Sequence, residues 1–266
     1  MDAKENISLL DGSPACYLTI TDEKSGAWLA SLVFGYGKIC QVPIEEVRQK
    51  LIKTFERWGK AGSMRVDNGE PLGSPTMTIT PPLSLWLIAM DIDVIWNKPR
   101  CPQQNGVVER MQGTSSRWAE IEKIFNLTDL QIRLDKEAIL QREHLPVKRL
   151  EKKSRLEAFP ELESSRRVYQ ADDFDTNNAY TFLAKKIYTR KVSSAGTISH
   201  YGQIFSIGTK YKAQFMQLKF EISTCSWIIF DTQANIKSIP AKHLSKDNIL
   251  NLTVCQRTNA NFMSDT

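Results

Sequence analysis

Long apolar runs are missing from the 266-residue sequence, and none reaches the roughly 18 residues that cross a bilayer. The opening Met1-Asp2-Ala3-Lys4-Glu5-Asn6 lacks the basic and apolar regions of a signal peptide. Cysteines number only five, at 16, 40, 101, 225 and 255, and no two form a Cys-x-x-Cys pair. This scatter argues against a disulfide framework or a zinc site and predicts reduced, buried small residues. Internal repeats and low-complexity tracts are also missing. These absences predict a cytoplasmic globular protein. What is present agrees with that: 41% hydrophobic and 24% charged residues suffice for a packed core and a wet surface. The length admits one large domain or two modest ones. A net charge of +5 is compatible with nucleic-acid binding, although many basic proteins bind none.

In chain order, a polar turn at Asp11-Gly12-Ser13-Pro14 follows the stub of a first strand. Residues 15–34 read as a β-hairpin turning at 22–26. Residues 43–58 read as an amphipathic helix, with Val47, Leu51, Phe55 and Trp58 on one face and Gly59 as its C-cap. A strand at 63–66 runs into Asp67-Asn68-Gly69. After a Pro- and Gly-rich loop come an apolar helix at 83–90, a strand at 93–96, and a helix whose face carries Val107, Met111, Trp118 and Ile121. This alternation predicts an α/β fold with a mixed sheet and flanking helices over residues 1–127. Residues 128–174 are charged and helical in character and read as a helical linker. Its basic run of Lys148, Arg149, Lys152, Lys153 and Arg155 is either a solvated face or a phosphate contact. From 175 to 252 the period becomes two, with short strands at 186–192, 197–199, 203–207, 214–222 and 227–230, which predicts a small antiparallel barrel. Residues 253–266 read as a disordered tail.

Three acidic residues sit where this layout lets them converge: Asp2 in the first strand, Asp67 at the end of the 63–66 strand, and Glu109 in the first turns of a helix. Each has an ordinary explanation as well. Asp2 is near a terminus, Asp-Asn-Gly is a favoured turn, and acids suit helix starts. Carboxylates crowded together repel unless a cation sits among them. Hard divalent ions such as Mg²⁺ or Mn²⁺ are the natural partners of an all-oxygen site. Two ions roughly 3.5–4 Å apart drive in-line phosphoryl displacement.

Arg65-Val66-Asp67-Asn68-Gly69, then Asn97-Lys98-Pro99, then Pro102-Gln103-Gln104-Asn105-Gly106-Val107-Val108-Glu109-Arg110 closely resembles the core of the retroviral-integrase-type DDE transposases, including bacterial insertion-sequence enzymes. The 18–22 and 25–27 segments resemble that family's second and third strands. The resemblance implies an RNase H-like core. It implies Asp2, Asp67 and Glu109 as catalytic metal ligands for two Mg²⁺ or Mn²⁺ ions. It also implies cleavage and strand transfer of DNA at mobile-element ends. Asp22 matches a non-catalytic acid of the family's hairpin turn. Lys98, Arg100, Gln104, Asn105, Arg110 and Arg117 become the expected phosphate contacts near Glu109.

Residues 192–202 and 227–231 resemble, less specifically, the small DNA-binding barrel of Mu-type transposases, with Lys186, Arg190 and Lys191 as its expected DNA contacts. The implied partners are double-stranded DNA, further copies of the chain on that DNA and an ATPase accessory protein, with nucleoid association when DNA is bound. Family members carry a DNA-reading domain and several strand residues ahead of the first Asp, so an N-terminal truncation is expected. The alternative function is then a truncated chain that binds DNA and joins or inhibits a full-length enzyme without cutting.

Overall fold

Short apolar runs punctuated by Gly, Pro and Asx turns settle into strands, and the longer amphipathic stretches into helices. The computed structural model describes residues 1–74, 77, 79–98, 106–164, 167–231 and 235–255. In chain order its elements are β1 (Asp2–Ser8), β2 (Pro14–Thr21), β3 (Trp28–Phe34), α1 (Ile44–Trp58), β4 (Ser63–Val66), α2 (Pro82–Ala89), β5 (Asp93–Trp96), α3 (Gly106–Ala119), α4 (Leu127–Ile139) and α5 (Arg155–Ala158). Then follow α6 (Thr176–Ala184), β6 (Ile187–Lys191), β7 (Thr197–His200), β8 (Gln203–Ser206), β9 (Phe215–Glu221), β10 (Ser226–Phe230), β11 (Asn235–Pro240) and α7 (Lys246–Leu250). The fold is mixed α/β with several sheets. The chain separates into two compact units, Met1–Pro75 with Ile92–Ala171, and Thr76–Asp91 with Asp172–Thr266.

In the first unit β1, β2 and β3 form an antiparallel sheet in that order, and β4 pairs in parallel with β5. A single backbone bond, Met1 N to Arg65 O at 2.7 Å, brings the start of β1 beside β4. A bulge between Lys4 and Ile7 resets the alternation of β1, and Asn6 there adopts φ 57° and donates to Gly37 O. The core joins Tyr17, Trp28 and Val33 of the sheet to Met111 and Ala119 of α3 and to Leu130, Leu134 and Ala138 of α4. On α1, Val47, Leu51 and Phe55 are buried and Gly59 N–H donates to Phe55 O, as the sequence spacing predicts.

Residues 128–174, expected as a linker, instead pack into this unit as far as Ala171. The reason lies at β3, an edge strand whose backbone groups need partners. Gln131 supplies them at one end, accepting from Val33 N (3.2 Å) and donating to Ser31 O (2.8 Å). Gln141 accepts from Trp28 N (3.0 Å) and donates to Gly26 O (3.0 Å), while Arg142 Nη1 donates to Trp28 O (3.0 Å). Asn126 caps α4 by accepting from Asp129 N.

The second unit takes α2 out of sequence order. Every residue from Leu83 to Ala89 is buried, because α6 and α7 pack on this helix. Asp175 N–H donates to Ala89 O at 2.9 Å. The expected boundary at 127 therefore misplaces α2.

The expected strands of residues 175–252 form, but the expected closed barrel does not. Among the described residues they build a four-stranded antiparallel sheet, β6-β9-β10-β11, and a separate β7-β8 hairpin. Laddered strands must approach to within about 4.9 Å. At the two seams longer side chains reach across instead. Arg190 Nε of β6 donates to Ser199 O of β7 (3.1 Å), and Lys237 Nζ of β11 donates to Ser206 O of β8 (2.9 Å). The interior is aromatic: Trp227 is fully buried, with His200 at 4.4 Å, Phe220 at 5.1 Å and Tyr188 at 5.5 Å between ring centroids.

Candidate active site

Strand β4 ends at the buried Val66, and the next residue, Asp67, is exposed on a tight turn. Gly69 holds that turn at φ 147°, a value that only glycine adopts without strain. Its N–H donates to Gly73 O (2.8 Å), and Gly73 N–H returns to Gly69 O (2.6 Å). Asn68 Nδ2 donates to Asn97 O (3.0 Å) and ties the turn to the chain just after β5. Glu109 lies in the first turn of α3, where the helix dipole favours a negative charge, and it is exposed. Helix α3 is anchored to β2 by the Tyr17 hydroxyl, 3.1 Å from Ser115 Oγ and 3.2 Å from Ser116 Oγ. Asp2 opens β1 opposite Thr19 and accepts from Ala3 N at 2.9 Å.

Of the three carboxylates, Asp2 feels the other two. Burial pushes the Asp2 carboxyl up from 3.8 to about 6, reinforced by the negative charge of Asp67 and then of Glu109 and opposed by the Ala3 amide. A cavity of about 310 Å³ adjoins Asp2 and Asp67. Asp2, Glu5, Asp67 and Glu70 contribute to its wall, where no Lys or Arg stands among the described residues.

The donor set suits a hard divalent ion in kind. All the groups are oxygens, and the amide oxygens of Asn68 and Asn97 are buried without a hydrogen-bond partner. In spacing it is open: among the described residues, no three His, Cys, Asp or Glu side chains stand close enough to hold an ion as placed.

The remaining expected contacts divide. Arg100, Gln104 and Asn105 lie outside the described residues. Lys98 is exposed just after β5. Arg110 and Arg117 are exposed on α3, with their Nε groups bonded to Gly106 O (2.9 Å) and Gly113 O (3.0 Å). In the second unit Lys191 is exposed, and Lys186 Nζ lies 4.5 Å from the centre of the Phe182 ring. Arg190, expected at phosphates, is engaged in the seam, where it also bonds His200 Nδ1 at 2.7 Å. That bond makes Nδ1 the acceptor and places the His200 proton on Nε2.

Glu5 and Glu70 were not anticipated. Glu5 reaches the cavity because the β1 bulge resets its register, and no local pattern marks a bulge. Among the described residues no helix is long and apolar enough to cross a membrane.

The chain matches no protein-family model. Among solved structures it is similar to a chain in the cryo-electron-microscopy structure of a simian T-cell lymphotropic virus intasome in complex with the PP2A regulatory subunit B56 gamma. Identity is 15% and the TM-score 0.42, over 91% of this chain and 75% of that one. A likeness of that size assigns the chain to no family.

Proposed function

We propose that the first unit is the catalytic core of a DNA strand-transfer enzyme of the DDE kind, with an RNase H-like sheet. The observation that carries this reading is the convergence of charge from three separate elements: Asp67 after β4 and Glu109 on α3 both act on the half-buried Asp2 of β1. The strand arrangement supports it, since β3, β2 and β1 are laddered, β1 starts beside β4, and β4 pairs with β5. Mg²⁺ or Mn²⁺, two ions per site, would be held by Asp2, Asp67 and Glu109. When bound, the ions would activate a water or 3′-hydroxyl for attack on phosphorus and stabilise the departing oxygen. Double-stranded DNA is the substrate, at mobile-element ends and at the target. The chain acts as a multimer on it, with an ATPase accessory protein as a further partner.

The test is strand transfer on a labelled duplex carrying an element end, in Mg²⁺. Glu109→Gln, which keeps the shape and removes the charge, is expected to lower the rate at least about 100-fold. Equal rates in the two proteins would remove the assignment.

The open spacing of the carboxylates favours a second reading, a chain that binds DNA without cutting it. Gel shifts that weaken steeply with salt, with no Mg²⁺-dependent nicking, would select that reading.

A further inference from the structure

A second cavity of the first unit, about 540 Å³, has the opposite charge. Lys24 of the hairpin turn, Arg110 of α3, and Arg149 and Arg155 from the segment after α4 contribute to its wall, against one acid among the described residues, Glu23. Glu23 is already paired with Arg65 at 3.0 Å, and Lys24 with Glu161 at 3.0 Å. The three arginines have no carboxylate partner among the described residues; each donates to neutral backbone oxygens instead. Arg149 Nη2 reaches Ser25 O (2.9 Å), Arg155 Nη1 reaches Gln141 O (3.0 Å), and Arg110 Nε reaches Gly106 O.

Arg155 Nε is enclosed and has no acceptor at all. A buried donor left unmade is costly, and a guanidinium donor more so. The two guanidinium groups also stand over Gly26, at φ +72°. A Cβ at that position would lie 3.3 Å from Arg149 Nη2 and 3.8 Å from Arg155 Nε. Glycine therefore lets both groups sit close against the hairpin turn. Burial, with the like charge of Arg149 adding to it, lowers the Arg155 pKa. Two cations side by side in a cavity wall, with no carboxylate partner among the described residues, form a site lacking its anion.

We propose that this pocket binds a phosphodiester group of DNA, with Arg149 and Arg155 as its main ligands and Arg110 joining from α3. Phosphate offers the oxygens that the planar guanidinium fork matches. Arg110 follows Glu109 directly on α3, so one helix carries a residue of the candidate carboxylate site and a residue of the pocket. The proposal rests on the reading that the chain handles DNA, and it adds a contact that needs no metal.

The experiment is fluorescence anisotropy of a fluorescein-labelled duplex of mixed sequence, in EDTA, across a KCl series. The proteins are the native chain, Arg149→Gln, Arg155→Gln and Arg155→Lys, each checked by thermal melting. Each Gln variant is expected to weaken binding about tenfold at fixed salt and to lower the slope of log affinity against log salt by about one, equally for unrelated sequences. Arg155→Lys keeps the charge and loses the fork; it is expected to restore the slope while leaving affinity reduced. If Arg155→Gln melts early, the Lys variant decides. Variants that melt as the native chain does and bind DNA unchanged would overturn the proposal. So would tripolyphosphate raising the native melting temperature without displacing the duplex, which marks a site for a free anion. Absence of strand transfer in the native chain, with these binding effects present, would remove the catalytic reading and leave the pocket. Intact strand transfer with unchanged binding would do the reverse.

Discussion

The two units use their charged and polar groups in opposite ways. In the second, long basic side chains close gaps in the architecture: Arg190 and Lys237 bridge the seams between strands, and burial holds His200 and His243 neutral, at about 2 and about 4 respectively. In the first, glutamines and Arg142 complete the exposed edge of β3. Among the described residues, no opposite side-chain charge pairs with the carboxylates of Asp2, Asp67 and Glu109 or with the guanidinium groups of Arg149 and Arg155. Charge completed within the fold serves the architecture, whereas charge left incomplete is available to a ligand of opposite sign.

This contrast is exposed to direct tests. The largest effect is expected from Trp227→Ala, which empties the centre of the second unit and costs about 3–5 kcal/mol. Urea denaturation measures it; a loss below about 1 kcal/mol would show that the aromatic cluster does not carry that unit. Next comes Gln141→Leu. It keeps the size but strands the Trp28 N–H and the Gly26 carbonyl, and about 1–3 kcal/mol is expected to be lost in the same experiment. An unchanged midpoint would mean that water covers the edge of β3 as well as the glutamine does.

The smallest effect sharpens the site itself. The folded Asp2 carboxyl keeps its proton to about pH 6, against 3.8 in the unfolded chain. Between those values the folded state binds more protons at this carboxyl, so its contribution to stability falls as pH rises from about 4 to about 6 and is level above that. Asp67→Asn removes a like charge and leaves the burial. The Asp2 titration, followed by carbon-13 NMR of its carboxyl, should move only part of the way back towards 3.8. No movement would separate Asp67 from the site, and a full return would make burial irrelevant.

Most of the secondary structure is legible in the sequence because local periodicity and turn chemistry produce it. Val47, Leu51 and Phe55 announce the buried face of α1, and Asp67-Asn68-Gly69 announces its turn. The features that escape detection depend on distant partners. Helix α2 is apolar all round, so no stripe says which core receives it. The segment after Asn126 reads as a solvated linker because a glutamine that completes a strand edge looks like any surface glutamine. The barrel fails to close at two places where only tertiary distance decides between a backbone ladder and a side-chain bridge. Of the candidate site, the three acids are legible as a pattern, and the effect of Asp67 and Glu109 on Asp2 emerges only in three dimensions. Glu5, Glu70 and the arginine pocket follow from a bulge and a long-range fold-back.

The bond between Tyr17 and the serines of α3 governs an angle. Each residue of an α-helix turns the next by about 100°, on a Cα radius of about 2.3 Å. A slip of about 0.5 Å at the backbone of α3 is therefore a rotation of about 12°, enough to strain a buried hydroxyl pair 3.1 Å apart. Glu109 rides on the same rigid cylinder. The phenol of Tyr17 thus helps to hold the azimuth at which that carboxylate is presented.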